Sequence, residues 1–248
     1  KRSEIVCWIP HEIDNSSGGQ IWIPKNSWGS LGGQMLHISY GQAKIFNVLM
    51  ESVNGSVQGG VYDLKPTGGF DAGIMRGRFN EVDDALYLCG LKGWQTKGVK
   101  DGGLYRVRYT GQEKCVAKSL SVGQNGLKIS FSEKVDPSSA LDAGNYDISQ
   151  WVYEISPKYG SRRYKVPKDS PWDYASAFSP VPAVALKAFE SKKFDTPEAR
   201  SAAKAKLYEK YVGEDTVTIK SISLSDDGKT VFLEIPDIAP VMQMKTAF

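Results

Sequence analysis

Histidine is nearly absent from this chain: His11 and His37 are the only two in 248 residues. So few imidazoles make a zinc site from these residues a poor expectation, and without a CxxCH motif the chain cannot attach a c-type haem in the usual way. Cysteine is also scarce. Cys7, Cys89 and Cys115 show no CxxC spacing, which excludes a disulfide framework. They read as buried structural thiols, since free cysteine is among the most buried residue types. A single disulfide is the alternative and would fit an oxidising compartment. No run approaches the roughly 20 apolar residues that span a bilayer, so no membrane span is expected. Charge of one sign is lacking as well: a net +3 is too small to point to nucleic acid or an anionic membrane surface. Nor does the sequence offer a phosphate loop, a Ser-His-Asp pattern or a glycosidase carboxylate pair.

What the chain does have is strands and turns. The runs "EIVCWIP" (4–10), "QMLHISY" (34–40), "AKIFNVLM" (43–50), "GGVYDL" (59–64), "GIMRGRF" (73–79), "ALYLCGL" (85–91) and "LYRVRYT" (104–110) have strand composition. Between them lie "DNSSGG", "GSLGG", "VNGS", "PTGG", "VDD" and "KDGG", all turn chemistry. Two successive antiparallel meanders are expected, in the manner of two blades of a β-propeller. Propellers have about four to eight blades, so the remainder of the propeller is expected on the same or a companion chain. The opening "KRSEIVCWIP" reads as the continuation of a longer polypeptide.

Beyond residue 111 the pattern changes. Strands are expected at 127–132, at "NYDIS", and in "VTIKSISL" and "VFLEI" around a turn at Asp227-Gly228, with "VMQMKTAF" as the last. That pattern suits an immunoglobulin-like β-sandwich. An insert at about 151–214 interrupts it. Its first half is rich in Pro, Ser and Tyr; its second half, "TPEARSAAKAKLYEKYVG", reads as a helix. Thr196 is the N-cap, Pro197 the first helical residue and Gly213 the stop, with Ala199, Ala203, Leu207 and Tyr211 as the apolar stripe. The fold class is therefore mainly β: partial propeller blades over 1–111, then a sandwich over 112–248 with a helical insert.

The candidate functional residues start with "MRGRF". Arg76 and Arg78 lie two apart on one strand and so share a face. Such a pair can bind carboxylates in bidentate fashion, or it can pair with Asp71, Glu81, Asp83 or Asp84. "HEIDNSSGG" places Asp14 and Asn15 in a loop as hard oxygen donors of the kind calcium takes, although Asp and Asn also build turns. His11, beside that acidic loop, is the better placed histidine for function; His37, inside a strand, reads as structural. Trp22, Trp28 and Trp94 offer flat faces on which a sugar can stack, Trp94 foremost, or they plug gaps between sheets.

The segments "CWIPHEIDNSSGGQIWIP", "WGSLGGQMLHISYGQ", "IMRGRF", "LYLCGLKGWQ" and "GGLYRVRYTG" resemble the closing blades of the glucose/sorbosone-dehydrogenase-like (quinoprotein-type) β-propellers of large secreted bacterial proteins. "NYDISQW", "YGSRRY" and "IPDIAPVMQM" resemble the immunoglobulin-like domain that follows those blades. The resemblance implies a secreted or periplasmic oxidoreductase acting on sugars or alcohols, passing electrons to a haem c module on another segment. It implies pyrroloquinoline quinone and calcium as cofactors, with Arg76 and Arg78 matching a late-blade arginine pair that holds the quinone; His11, from its place beside the acidic loop and not from the resemblance, is the further candidate cofactor contact. It assigns no catalytic residue to this chain. The other class of function left open is a non-catalytic module that binds carbohydrate or a protein partner, with Trp94 at its surface.

Overall fold

The computed structural model describes residues 5–112, 114–154, 160–167, 179–239 and 241–247. Among these residues fifteen strands dominate, all sheets are antiparallel and open, and no sheet closes into a barrel. The chain divides into two compact units. The first holds Lys1–Gly123, Leu127–Leu141 and Ser223–Phe232; the second holds Gln124–Gly126, Asp142–Ile222 and Leu233–Phe248.

In the first unit, β1 (Ser17–Trp22), β2 (Met35–Ser39), β3 (Lys44–Val53) and β4 (Ser56–Asp63) form one sheet in chain order. β5 (Gly73–Asn80), β6 (Ala85–Leu91) and β7 (Gly102–Arg108) form the next, also in chain order. Alternation decides what faces what. Leu36, Ile38 and Ile45 from the first sheet meet Ile74, Leu86 and Leu88 from the second in one apolar core with Ile21, Ile23 and Trp28. Trp28 fills this core rather than offering a sugar platform: its ring edge packs on Phe79 at 5.0 Å and its Nε1 donates to the Asp84 carbonyl at 3.0 Å. β8 (Ala117–Gly123) lies beside β3 and β4, where the Tyr62 hydroxyl donates to the Ala117 carbonyl at 3.2 Å.

Glycine sets how closely the first two sheets approach. A Cβ at Gly77 would stand 2.5 Å from both the Ile21 Cδ1 and a Leu88 Cδ2, and one at Gly18 would collide with the Ile74 carbonyl oxygen. Gly77 is the inward residue of the Arg-Gly-Arg triplet, so the flanking arginines must both face out. Gly18 lies in a stretch that reads as turn chemistry but forms β1, because here the missing side chain serves close backbone approach. The reverse holds at 4–10. Residues 5–10 join no strand despite their apolar composition, and the segment ends on Pro10, which has no ladder donor to give.

A further sheet has the order β13 (Ser221–Leu224), β14 (Thr230–Glu234), β9 (Gly126–Phe131), β8, with Gly228 at φ 70° in the turn between β13 and β14. The division between the units runs through these strands. In the second unit β10 (Asp147–Tyr153) is central. It pairs with β15 (Gln243–Ala247), with β11 (Arg163–Tyr164) and with β12 (Asp215–Thr216). Trp151 is fully buried there under the Arg163 guanidinium, 4.1 Å from its ring centre. Three α-helices complete the described residues: α1 (Pro137–Ala140), α2 (Ala183–Glu190) and α3 (Pro197–Glu209). As expected, the Thr196 side chain caps α3, accepting from the Ala199 amide at 3.1 Å. The buried residue of α3 is Tyr208, edge-on to Tyr164 at 6.1 Å, with Ala203, Leu207 and Tyr211 half-buried and Ala199 exposed.

The thiols depart from the buried reading. All three cysteines are free, and only Cys7 is half-buried, where desolvation pushes its pKa up to about 11. Cys89 is exposed because Leu86 and Leu88 take the inward positions of β6, leaving Tyr87 and Cys89 outward; Cys115 is exposed as well.

Gly77→Ala should destabilise the protein by about 1–3 kcal/mol through overpacking, read as a lower urea midpoint at unchanged slope. Wild-type stability in that variant would show that the sheets have room to part.

Candidate functional site

The outer face of β5–β7 is built from cross-strand rows. Arg78 stands opposite Tyr87, which stands opposite Arg106; one row along, Arg76, Cys89 and Leu104 align in the same way. Asn80, Ala85 and Arg108 form the third row. Four arginines thus border one strand face, two on β5 and two on β7, about 10 Å apart across the sheet by strand spacing. All four are exposed, and Leu104, two residues before Arg106 on β7, is 77% exposed.

The two sequence-marked arginines are held by backbone. Arg76 Nη1 donates to the Gly18 and Met75 carbonyls, each at 2.7 Å, and Arg78 Nη1 donates to the Gly77 carbonyl at 2.7 Å. Among the described residues no carboxylate pairs with either. Three of the four acids named as structural partners are engaged elsewhere: Asp71 with Lys100 at 2.6 Å, Asp83 with Arg106 at 2.8 Å, and Asp84 with the Ser27 hydroxyl; Glu81 pairs with neither arginine. The Tyr87 hydroxyl also donates to Asp83, at 2.8 Å. That bond, with smaller help from the Ala85 amide and Arg106, lowers the Asp83 pKa and correspondingly raises that of Tyr87. Arg106 and Arg108 belong to the same face as the arginines of "MRGRF". The signal was present, since "YRVRY" repeats the same i, i+2 spacing.

The calcium-type loop folds differently from a cation site. Asp14 is buried, and its carboxylate accepts from four donors: Ser39 Oγ at 2.5 Å and the Ser16 amide at 3.3 Å on one oxygen, His37 Nε2 at 2.7 Å and Ser17 Oγ at 2.8 Å on the other. Asn15 turns away, its Oδ1 accepting from Gln42 at 2.9 Å and its Nδ2 donating to the Gln95 carbonyl at 2.8 Å. With these oxygens already taken by protein donors, Asp14 and Asn15 do not fit a calcium ion, and no three His, Cys, Asp or Glu side chains among the described residues converge as metal ligands. The pairing of Asp14 with His37 across 23 residues carried no sequence signal.

His37 reads here as the structural residue its strand position implied. Gln20 Nε2 lies 3.1 Å from its Nδ1; with that amide donating, the ring carries its proton on Nε2 and gives it to Asp14. Burial alone would raise the Asp14 pKa, but the hydrogen bonds from His37, Ser39 and Ser17 together outweigh it and leave the pKa lowered. His11 lies exposed in the turn before this loop. Trp94 is 70% exposed, in the loop whose Gln95 carbonyl takes the Asn15 amide, and Trp22 is 59% exposed at the end of β1.

Because Asp14 is more acidic in the folded protein, the unfolded chain binds its proton first as pH falls. The stability Asp14 contributes is therefore present above the unfolded pKa of about 3.9 and is lost as pH drops through the lower folded value. Asp14→Asn should lower stability at neutral pH by about 1–3 kcal/mol, by weakening a buried donor set, and should flatten acid unfolding in that window. An unchanged acid profile would place the sensitivity in other carboxylates. Comparisons of the chain with models of protein families, with curated proteins and with solved structures find no match.

Proposed function

We propose that this chain is a binding module for acidic carbohydrate, set within a larger secreted or periplasmic protein of the quinoprotein-dehydrogenase-like kind. The observation that carries the reading is the pair Arg76 and Arg78: adjacent on one exposed strand face, positioned by backbone carbonyls, and without a carboxylate partner among the described residues. A guanidinium held this way keeps N–H groups directed to solvent, and its fork matches a carboxylate better than a lysine does. Tyr87 between Arg78 and Arg106 adds a half-buried ring beside the arginines, with Arg106 Cζ 5.9 Å from its centre. An open sheet face suits a polymer presenting repeated carboxylates, whereas small ligands favour concave pockets. Trp94 and Trp22, exposed in the same unit, are the residues on which neutral sugar rings would stack.

A second reading has one specific observation in its favour. The two arginines keep the i, i+2 spacing of the pair that the resemblance assigns to pyrroloquinoline quinone, and their free N–H groups fit a quinone carboxylate. When bound, that quinone would supply the two-electron oxidation of a sugar or alcohol, with a haem module on another segment receiving the electrons. The part of this chain would be to hold and orient carboxylates. The two sheets β1–β4 and β5–β7, each antiparallel and in chain order, support the blade-like reading of this unit, and the remaining blades would be partners on the same or a companion chain.

The test is retention on immobilised polygalacturonate against neutral dextran, with wild type and Arg76→Ala/Arg78→Ala. Wild type should be retained by the polyanion alone, and retention should fall with salt. The double variant should bind about 100-fold more weakly, near tenfold for each guanidinium–carboxylate pairing removed. Equal behaviour of both proteins on both supports would reject the carbohydrate reading. A saturable change in the absorption of added pyrroloquinoline quinone that the double variant abolishes would favour the second reading instead.

A further inference from the structure

β7 ends its sheet. It pairs with β6 along one side only, and among the described residues no strand or side chain takes up the backbone of its other side. A groove of about 910 Å³ follows that open edge. Successive residues of both faces of the strand, from Leu104 to Thr110, line it, so the groove runs along the strand and not across one face. Its apolar wall comes from Leu31, Leu64, Phe70, Tyr105 and Val107. That wall is fixed in place. Tyr105 packs edge-on to Phe70 at 5.1 Å, and its hydroxyl accepts from the Asp71 and Ala72 amides at 3.0 and 2.8 Å. The charged lining is of one sign: Lys65, Arg106, Arg108 and Lys114, with no acidic side chain among the described lining residues.

An exposed edge of seven residues without proline or bulge is the kind of surface that proteins usually cover or blunt. We propose that the β7 edge is a docking site for an extended acidic segment of another protein, which adds as a fourth strand to β5–β7. The occupant follows from the two faces of β7. Side chains of an added strand alternate, so one set would lie beside Val107, Tyr105 and Phe70 and must be apolar, and the other beside Arg106 and Arg108 and must be acidic. Of these two arginines only Arg106 already has an acid, Asp83, among the described residues. Main-chain hydrogen bonds to the open edge supply affinity, and this alternation supplies selectivity. A second copy of the chain fits poorly: antiparallel self-pairing about Val107 would set Arg106 against Arg108 of the other strand, and like charges directly opposite are destabilising.

The probe is a capped heptapeptide of alternating glutamate and valine, compared with the same peptide N-methylated at alternate residues and with a lysine-for-glutamate version. Amide exchange of β7 and titration affinity are read together on the intact chain. The expected result is slowed exchange of alternate β7 amides with the unmodified peptide, and about tenfold or weaker binding for each altered peptide. Arg108→Glu should weaken the glutamate peptide by a similar factor, whereas Arg76→Ala/Arg78→Ala should leave it unchanged. That separates this site from the carbohydrate face. Equal binding of the N-methylated peptide would overturn strand addition, as would absence of β7 protection with every peptide. Protection of β7 in the chain alone, rising with protein concentration, would give the edge to a second copy.

Discussion

Two glycines hold the sheets of the first unit at a spacing that leaves no room for a β-carbon, and much of the site geometry depends on that contact. Gly77 sits against Ile21 and Leu88, and Gly18 against the Ile74 carbonyl. Strands that approach this closely cannot place a long side chain between them, so a cation on either side of Gly77 has only the outward direction left. Burying either arginine in the core between the sheets would also leave a charge without water or a counter-ion, far costlier than solvating it. The same contact brings the Gly18 carbonyl within reach of Arg76, which donates to it at 2.7 Å. One packing constraint therefore sets both the core spacing and the presentation of the cations.

A second constraint works on register. Gln20 stands opposite His37 across β1 and β2, and their side chains also meet, at 3.1 Å. His37 in turn joins Asp14, which gathers Ser17 and Ser39. A slip of one residue would send His37 to the opposite face of the sheet and strip the buried carboxylate of its donor. Apolar alternation alone favours one face but tolerates small shifts along it; a satisfied buried carboxylate does not. The network therefore specifies pairing in a strand whose glycines give it little propensity of its own.

Where strands alternate and turns carry Gly, Asn or Asp, the sequence was readable. β2 to β7, β9, β10, β13, β14 and β15 lie where composition puts them, and α3 begins at its Thr-Pro signal. β1 was hidden because its Gly18-Gly19 pair looks like a turn, when Gly18 is there for close approach. β8, "AKSLSVG", has too few apolar residues to stand out, and α2 lies in a stretch dominated by the prolines before it. The site was legible in part. Spacing alone put Arg76 and Arg78 on one face, and the same rule reaches Arg106 and Arg108. The joining of β5 and β7 through β6, and the capture of Asp14 by His37, are long-range events with no local signature.

The net charge of +3 conceals how cations are distributed. Lysines take several of the acids as close pairs: Lys44 with Asp63 at 2.7 Å, Lys100 with Asp71 at 2.6 Å, Lys220 with Glu234 at 2.8 Å. Exposed pairs of this kind add little stability, but the Lys100 pair occupies Asp71, an acid of the same unit as the arginines. On the outer face of β5–β7, among the described residues, only Asp83 answers the arginines, and it is shared between Arg106 and Tyr87. The spacing of these arginines, about 10 Å, is close to the screening length of about 8 Å at physiological salt. At that ratio a distant anion feels little of the cluster, while one already at the surface meets several guanidinium groups together. On the proposed carbohydrate-binding reading, recognition would come from the match between charge spacing on ligand and sheet, with little contribution from long-range attraction.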